Sequence, residues 1–258
     1  MTKPLVFLSH INEEAELAGL FKTEIERVFL GMIEVFLSSE DTTIAVGSRW
    51  LDKITEGLRS AQAVMILCSP ISIHRPWINF EAGGGWARDI TVAPLCHSGL
   101  RFVQLPLPLN LLQAVKAHDA EGLGRLFAML AAKLNATIQA IDATGFTQTG
   151  FIQKVVAFED KYSLEVKALP HLRTIQAAWP ELISAIEGAS GGPVNVQNVA
   201  EWRETAIRLA LEALKKDKFL DYADGTTSMT IGGSGSGMTG DLVLAPTSSL
   251  TTIVGRRF

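Results

Sequence analysis

The stretch Trp77–Ala87, WINFEAGGGWA, places one carboxylate, Glu81, among two tryptophans, a phenylalanine and three consecutive glycines. A carboxylate with so few polar neighbours is either the polar edge of an ordinary helix start or a group held in an apolar cleft to do chemistry. Desolvation beside Trp77, Phe80 and Trp86 would raise its pKa by disfavouring the charged form. On a helix, Trp77 and Glu81 stand at i and i+4 and share one face, so a ring and a carboxylate can meet one ligand. The glycines are unusual there, because each costs about 1 kcal/mol relative to alanine inside a helix. They either permit close helix–sheet packing or break the helix near Glu81, and the residues alone leave both open.

Two other stretches carry polar groups at the ends of apolar runs. FLSH (Phe7–His10) closes one run with Ser9 and His10, and SSED (Ser38–Asp41) closes another. Taken alone, the first is equally a strand end turning into a helix, and the second a surface turn. Other chemistries lack their residues. The five histidines show no pairwise spacing of metal ligands, the two cysteines form no C-x-x-C, and neither a G-x-S-x-G nor a Walker sequence occurs. No metal site is expected. Gly235, Gly237 and Gly240 fit G-x-G-x-x-G, but DLVLAP after them reads as strand where a dinucleotide fingerprint needs a helix. They read as a flexible hairpin loop.

The elements that must position these residues follow from apolar spacing. PLVFLS (Pro4–Ser9) is a run of strand length. From Asn12, a residue able to cap a helix, Leu17, Leu20, Phe21, Ile25, Val28 and Phe29 recur at helical spacing until Gly31. IEVFLS (Ile33–Ser38) is a second strand, and Trp50, Ile54 and Leu58 form a helix stripe. AVMILCS (Ala63–Ser69) reads as a central parallel strand buried on both faces, and ITVAPLC (Ile90–Cys96) as a fourth strand. This alternation implies an α/β fold, an open parallel sheet with helices on both faces, whose ligands sit beyond the carboxyl ends of the strands. After residue 100 a proline-punctuated connection, LPLPLNLLQAV, leads to a helix over Ala120–Leu134. Helical stretches follow near Phe151–Glu165, Pro170–Glu187 and Val199–Lys216, and then a Thr-, Ser- and Gly-rich end of short strands. Two domains are expected, 1–135 and 136–258, the second smaller, helical and strand-tailed.

Composition narrows the function classes. With 47% apolar and 19% charged residues, a chain of 258 residues supports an ample core and is not generally disordered. A net charge of −4 supplies no basic field for nucleic acid or an anionic membrane, and LKKDKF (Leu214–Phe219) is too small a basic patch to change that. Cys68 and Cys96 both lie in strand-like apolar runs, as small core residues of a reducing compartment do. No basic-then-apolar leader opens the chain, and no apolar run reaches the ~20 residues of a membrane span. A cytoplasmic protein is expected.

In order and spacing, VFLSH, VFLSSEDTTIAVGSRWLDKITEGLRSA, VMILCSP and PWINFEAGGGWA resemble a Toll/interleukin-1 receptor (TIR) domain of the prokaryotic kind, over about residues 4–135. They resemble, in turn, its opening strand, its second strand with BB loop and following helix, its third strand, and its Trp-x-x-x-Glu segment. The resemblance implies a flavodoxin-like fold. For many such domains it also implies NAD+ cleavage at the nicotinamide–ribose bond, giving nicotinamide and ADP-ribose or a cyclic ADP-ribose signal, often in bacterial anti-phage immunity. It implies Glu81 as the catalytic carboxylate, with Trp77, Phe7, Ser9, His10, Ser38, Ser39, Asp41, Arg49 and Trp50 as substrate-binding residues. His10 and Arg49 are the candidates for the pyrophosphate. NAD+ is then a substrate and no cofactor is implied. The implied partners are further copies of the chain in an oligomer or filament, and an activating ligand or protein acting through the C-terminal region. The alternative is a non-catalytic adaptor that works by self-association, with Glu81 merely capping a helix.

Overall fold

The computed structural model describes residues 3–38, 50–138, 150–189, 192–199, 205–232 and 235–258. The chain divides into two compact units, Met1–Tyr162 and Ser163–Phe258.

In the first unit the apolar runs become five strands: β1 (Leu5–Ser9), β2 (Glu34–Leu37), β3 (Ala63–Cys68), β4 (Thr91–Cys96) and β5 (Val115–Lys116). They pair in the order β2-β1-β3-β4-β5, every pair parallel. This is the flavodoxin-like order, whose topological switch point lies between β1 and β3. Helices α1 (Ala15–Val28), α2 (Trp50–Ser60) and α3 (Pro76–Ala87) connect the first four strands, and α4 (Ala120–Leu134) follows β5. The central strand β3 is buried at every residue, as its unbroken apolar run requires. Strand alternation sends Phe7 and Ser9 to one sheet face. There Phe7 packs with Ile54 and Leu58 of α2 and Ile78 and Ala82 of α3.

The sequence reading has four strands, whereas β5 adds a fifth at the end of the proline-punctuated connection. Two residues are too few for a periodic signal, and only Leu95 and Cys96 of β4 pair with them. Nor does Asn12 cap α1. A 3-10 turn over Asn12–Glu14 precedes the helix with Ile11 at its N-cap, and the Glu14 carboxylate reaches back to accept from the Ile11 N–H at 3.3 Å.

Helix α3 runs unbroken through its glycines, starting with Pro76 in its first turn. At its end the Arg88 guanidinium donates to the carbonyls of Leu58 and Ala61, tying α3 to the end of α2. Of the three glycines, Gly85 is seated on the sheet: a Cβ there would lie 2.8 Å from Val92 Cγ2 and 2.9 Å from Val64 Cγ2. Gly83 has no neighbour within 4 Å, and a Cβ on Gly84 would make only an ordinary contact with Leu58 at 3.5 Å. Close helix–sheet packing is therefore the reason for a glycine at one position of the three. Gly85→Ala is expected to cost about 1–3 kcal/mol by overpacking, and Gly83→Ala to stabilise by up to about 1 kcal/mol. Urea denaturation of the two variants reads the difference, and equal effects would contradict this packing.

Helix α5 (Phe151–Ala178) begins in the first unit and continues into the second. It runs through Pro170, where the sequence suggested two helices, and α6 (Pro180–Gly188) starts after Trp179. An interior proline costs about 3 kcal/mol, but Ala168, Leu169, Leu172 and Ile175 flank it in the core of the second unit, and such burial supplies most helical stability in proteins. In the helical stretch expected over Val199–Lys216 the chain forms α7 (Thr205–Lys216), and β6 (Val194–Val199) comes before it. VNVQ alternates apolar and polar residues, a strand signal to which the sequence reading assigned no element. Strands β7 (Leu220–Gly232) and β8 (Gly235–Pro246) complete an antiparallel sheet of order β6-β8-β7, and α8 (Ser248–Arg257) follows. Gly235, Gly237 and Gly240 lie within β8, in a strand rather than in the loop expected of them. Among the described residues no helix is long and apolar enough to cross a membrane.

Candidate active site

Helix α3 presents Ile78, Glu81, Ala82 and Gly85 to the sheet, the i, i+3, i+4, i+7 stripe of a core-facing helix. The helical period thus carries Glu81 into an apolar face, and the residue is fully buried. Ser9 meets it there from the carboxyl end of β1, at the switch point of the sheet, and its hydroxyl donates a hydrogen bond to Glu81 Oε2. Glu81 Oε1 is buried with no partner in hydrogen-bond geometry. Burial pushes the Glu81 carboxyl up from 4.5 to about 7, against the Ser9 hydrogen bond and a looser approach of the Trp77 indole N–H, both of which favour the charged form. Trp77 is half-buried and stacks on exposed Phe80, ring centroids 4.9 Å apart. Its ring and the carboxylate are one helical turn apart, as their spacing implied.

The other expected residues are placed differently. His10 and Ser38 come together at the ends of β1 and β2: the His10 N–H donates to Ser38 Oγ at 3.1 Å, and Ser38 Oγ donates to the His10 carbonyl at 3.2 Å. Both are buried. Phe7 is fully buried, stacks on Phe36 at 5.4 Å and lies on the sheet face from which Ser9 projects. Ser39, Asp41 and Arg49 lie outside the described residues, and of Trp50 the structure gives its place at the start of α2.

A second buried polar cluster, which the sequence reading did not single out, lies at the carboxyl ends of β3 and β4. His97 Nε2 is 3.1 Å from Glu14 Oε1, both side chains without exposed surface. Tyr162 of α5 donates to the same Glu14 oxygen at 3.5 Å and lies 3.1 Å from Ser69 Oγ. The Ser98 hydroxyl meets His97 Nδ1 at 2.9 Å, and the Ser98 N–H donates to Glu159 at 3.2 Å. A usable signal was present: CHSG after β4 repeats the polar strand end of FLSH after β1. Cys68 and Cys96 are both buried free thiols, Cys96 pushed up to about 11 by burial. A cavity of about 700 Å³ opens between β4, β5 and α4, lined by Val92, Phe102, Leu126 and Met129 among others, and Glu81 is not part of its wall. Thr91, Asp119, Arg125 and Lys133 also line it, and neither Ser9 nor Glu81 does. Among the described residues no group of three or more His, Cys, Asp or Glu side chains is placed to hold a metal.

The parallel order, with Trp77 and Glu81 on a helix packed at its switch point, agrees with a family match. Residues 6–127 match the TIR domain.

This part of the chain is a TIR domain.

Solved structures similar to the chain include a metazoan TIR-STING receptor from C. gigas, at 16% identity and a TM-score of 0.36, over 70% of this chain and 52% of that one. The chain thus spans about half the length of that receptor. They also include the TIR domains of the activated Roq1 resistosome that recognises the pathogen effector XopQ, at 13% identity and a TM-score of 0.30, over 62% of this chain and 82% of that one. No curated protein sequence matches the chain.

Proposed function

We propose that the TIR domain is an NAD+ nucleosidase in which Glu81 is the catalytic carboxylate, releasing nicotinamide and leaving ADP-ribose or a cyclic ADP-ribose signal. The observation that carries this reading is a buried carboxylate at the β1/β3 switch point, one oxygen held by Ser9 and the other unpartnered. The reaction suits a lone carboxylate. Nicotinamide is cationic in NAD+ and leaves as a neutral base, so no general acid is required. The transition state resembles an oxocarbenium ion, as in glycoside hydrolysis, and a fixed negative charge in a water-poor site stabilises it. Trp77, one turn away, offers a ring for the departing base. On this reading the protein works in the cytoplasm, in anti-phage immunity, as an oligomer built through TIR–TIR contacts. Residues 136–258 serve as the regulatory or assembly region.

The reading requires the ionised form of Glu81, which fixes the sign of the pH dependence. With the free carboxyl at about 7, kcat/KM is expected to rise about tenfold per pH unit below neutrality and to level above it. In the complex the nicotinamide cation favours the carboxylate, so the acidic limb of kcat lies at lower pH than that of kcat/KM. A kcat/KM flat from about pH 5 to about pH 9 would contradict a single essential carboxylate of this kind.

One observation favours the adaptor reading: Glu81 has no exposed surface, as a purely structural residue would not. Incubating the full chain with NAD+, at concentrations that enforce assembly, and resolving nicotinamide, ADP-ribose and cyclic products by mass spectrometry separates the two. Nicotinamide release supports the enzyme and identifies the product; intact NAD+ under every assembly condition leaves the adaptor.

A further inference from the structure

We infer that Ser9 is a positioning residue for Glu81: its hydroxyl holds Oε2 and fixes the carboxylate, leaving Oε1 to accept from the substrate. The inference rests on the proposed function for its catalytic meaning, but its structural basis is independent. Ser9 is the last residue of β1, aligned with Ile66 of β3 in the middle of the sheet, and is itself fully buried. A strand end flanked by β2 and β3 cannot drift, so the hydroxyl is a fixed point. A serine has one proton to give, and this one goes to Oε2. A buried acceptor without a partner is costly and rare in native proteins. At Glu81 that atom is Oε1 alone. The two oxygens are thus unequal, one tied to the scaffold and one buried without a partner in hydrogen-bond geometry. Ser9 was expected among the substrate-binding residues; its hydrogen bond gives it an effect through Glu81.

Removing the hydroxyl takes away a hydrogen bond that favours the charged carboxylate. Ser9→Ala is therefore expected to move the Glu81 titration up by about one unit, the size of one hydrogen bond to a charged group. The titration is read by NMR on chain labelled at glutamate side-chain carboxyls, the Glu81 signal being assigned by its loss in Glu81→Gln. Ser9→Cys keeps the volume but donates weakly; its shift is expected to be intermediate, and it replaces the alanine variant if that does not fold. In nicotinamide release from NAD+, the acidic limb of kcat/KM moves by the same amount and kcat falls about tenfold, with KM changed less than about twofold. A purely structural role would lower stability without moving the titration. A Ser9→Ala titration within about 0.2 unit of wild type overturns the inference. Absence of NAD+ cleavage in the wild-type chain overturns the proposed function instead, and the titration still decides whether Ser9 controls Glu81.

Discussion

Glu81→Gln is expected to lower nicotinamide release by about a thousandfold, the upper range for losing one preorganised charge from a transition state, and at the same time to make the protein more stable above neutral pH. The two effects have one cause. A carboxyl at 4.5 in the unfolded chain and about 7 in the folded one keeps its proton longer when folded. Between those values the folded state binds more protons than the unfolded state, so stability falls as pH rises. The fall is complete above about pH 7, where the buried carboxylate is charged in both states, and amounts to about 3 kcal/mol. Glutamine carries no charge, keeps nearly the same shape and still accepts from Ser9. Glu81→Gln is therefore expected to unfold at higher urea than wild type at about pH 8 and to converge with it at about pH 4. If the wild type were the more stable of the two at pH 8, Glu81 would be a structural residue and the catalytic reading would lose its physical basis.

The second large effect is expected at Glu14. Its carboxylate accepts from the Ile11 N–H, from His97 and from Tyr162. Truncation to alanine leaves the buried His97 Nε2 and the part-buried Ile11 N–H without this acceptor, while Tyr162 keeps Ser69. Breaking a fully buried pair from one side costs about 3–5 kcal/mol, a loss of roughly 10 °C in melting temperature for a unit of this size. Glu14→Gln preserves an acceptor and is expected to lose less than half as much. Calorimetry or differential scanning fluorimetry reads both variants, and a Glu14→Ala melting temperature equal to wild type would show that the cluster contributes nothing.

How far the sequence was legible depended on the range of the signal. Runs such as AVMILC and the i, i+4 spacing of Trp77 and Glu81 are local, and they put the parallel sheet and the site helix in place. Pairing that depends on distant partners was not local. The strand Val115–Lys116 exists because Leu95 and Cys96 of β4 offer an edge. The glycine requirement at position 85 exists because Val64 and Val92 lie beneath it. Pro170 inside α5 misled for the same reason, since the core that outweighs it comes from residues far along the chain. At the site, the type of Glu81 and its apolar setting were readable, but its hydrogen bond to Ser9, 72 residues away, was not. The pairing of His97 with Glu14 went unnoticed because 83 residues separate them.

The most direct test is the time course of nicotinamide release from NAD+ by the full chain at about pH 8, above the Glu81 pKa, with Glu81→Gln measured beside it. The account predicts release by the wild type that follows enzyme concentration and is all but lost in the variant. Release that is undiminished in Glu81→Gln would contradict it.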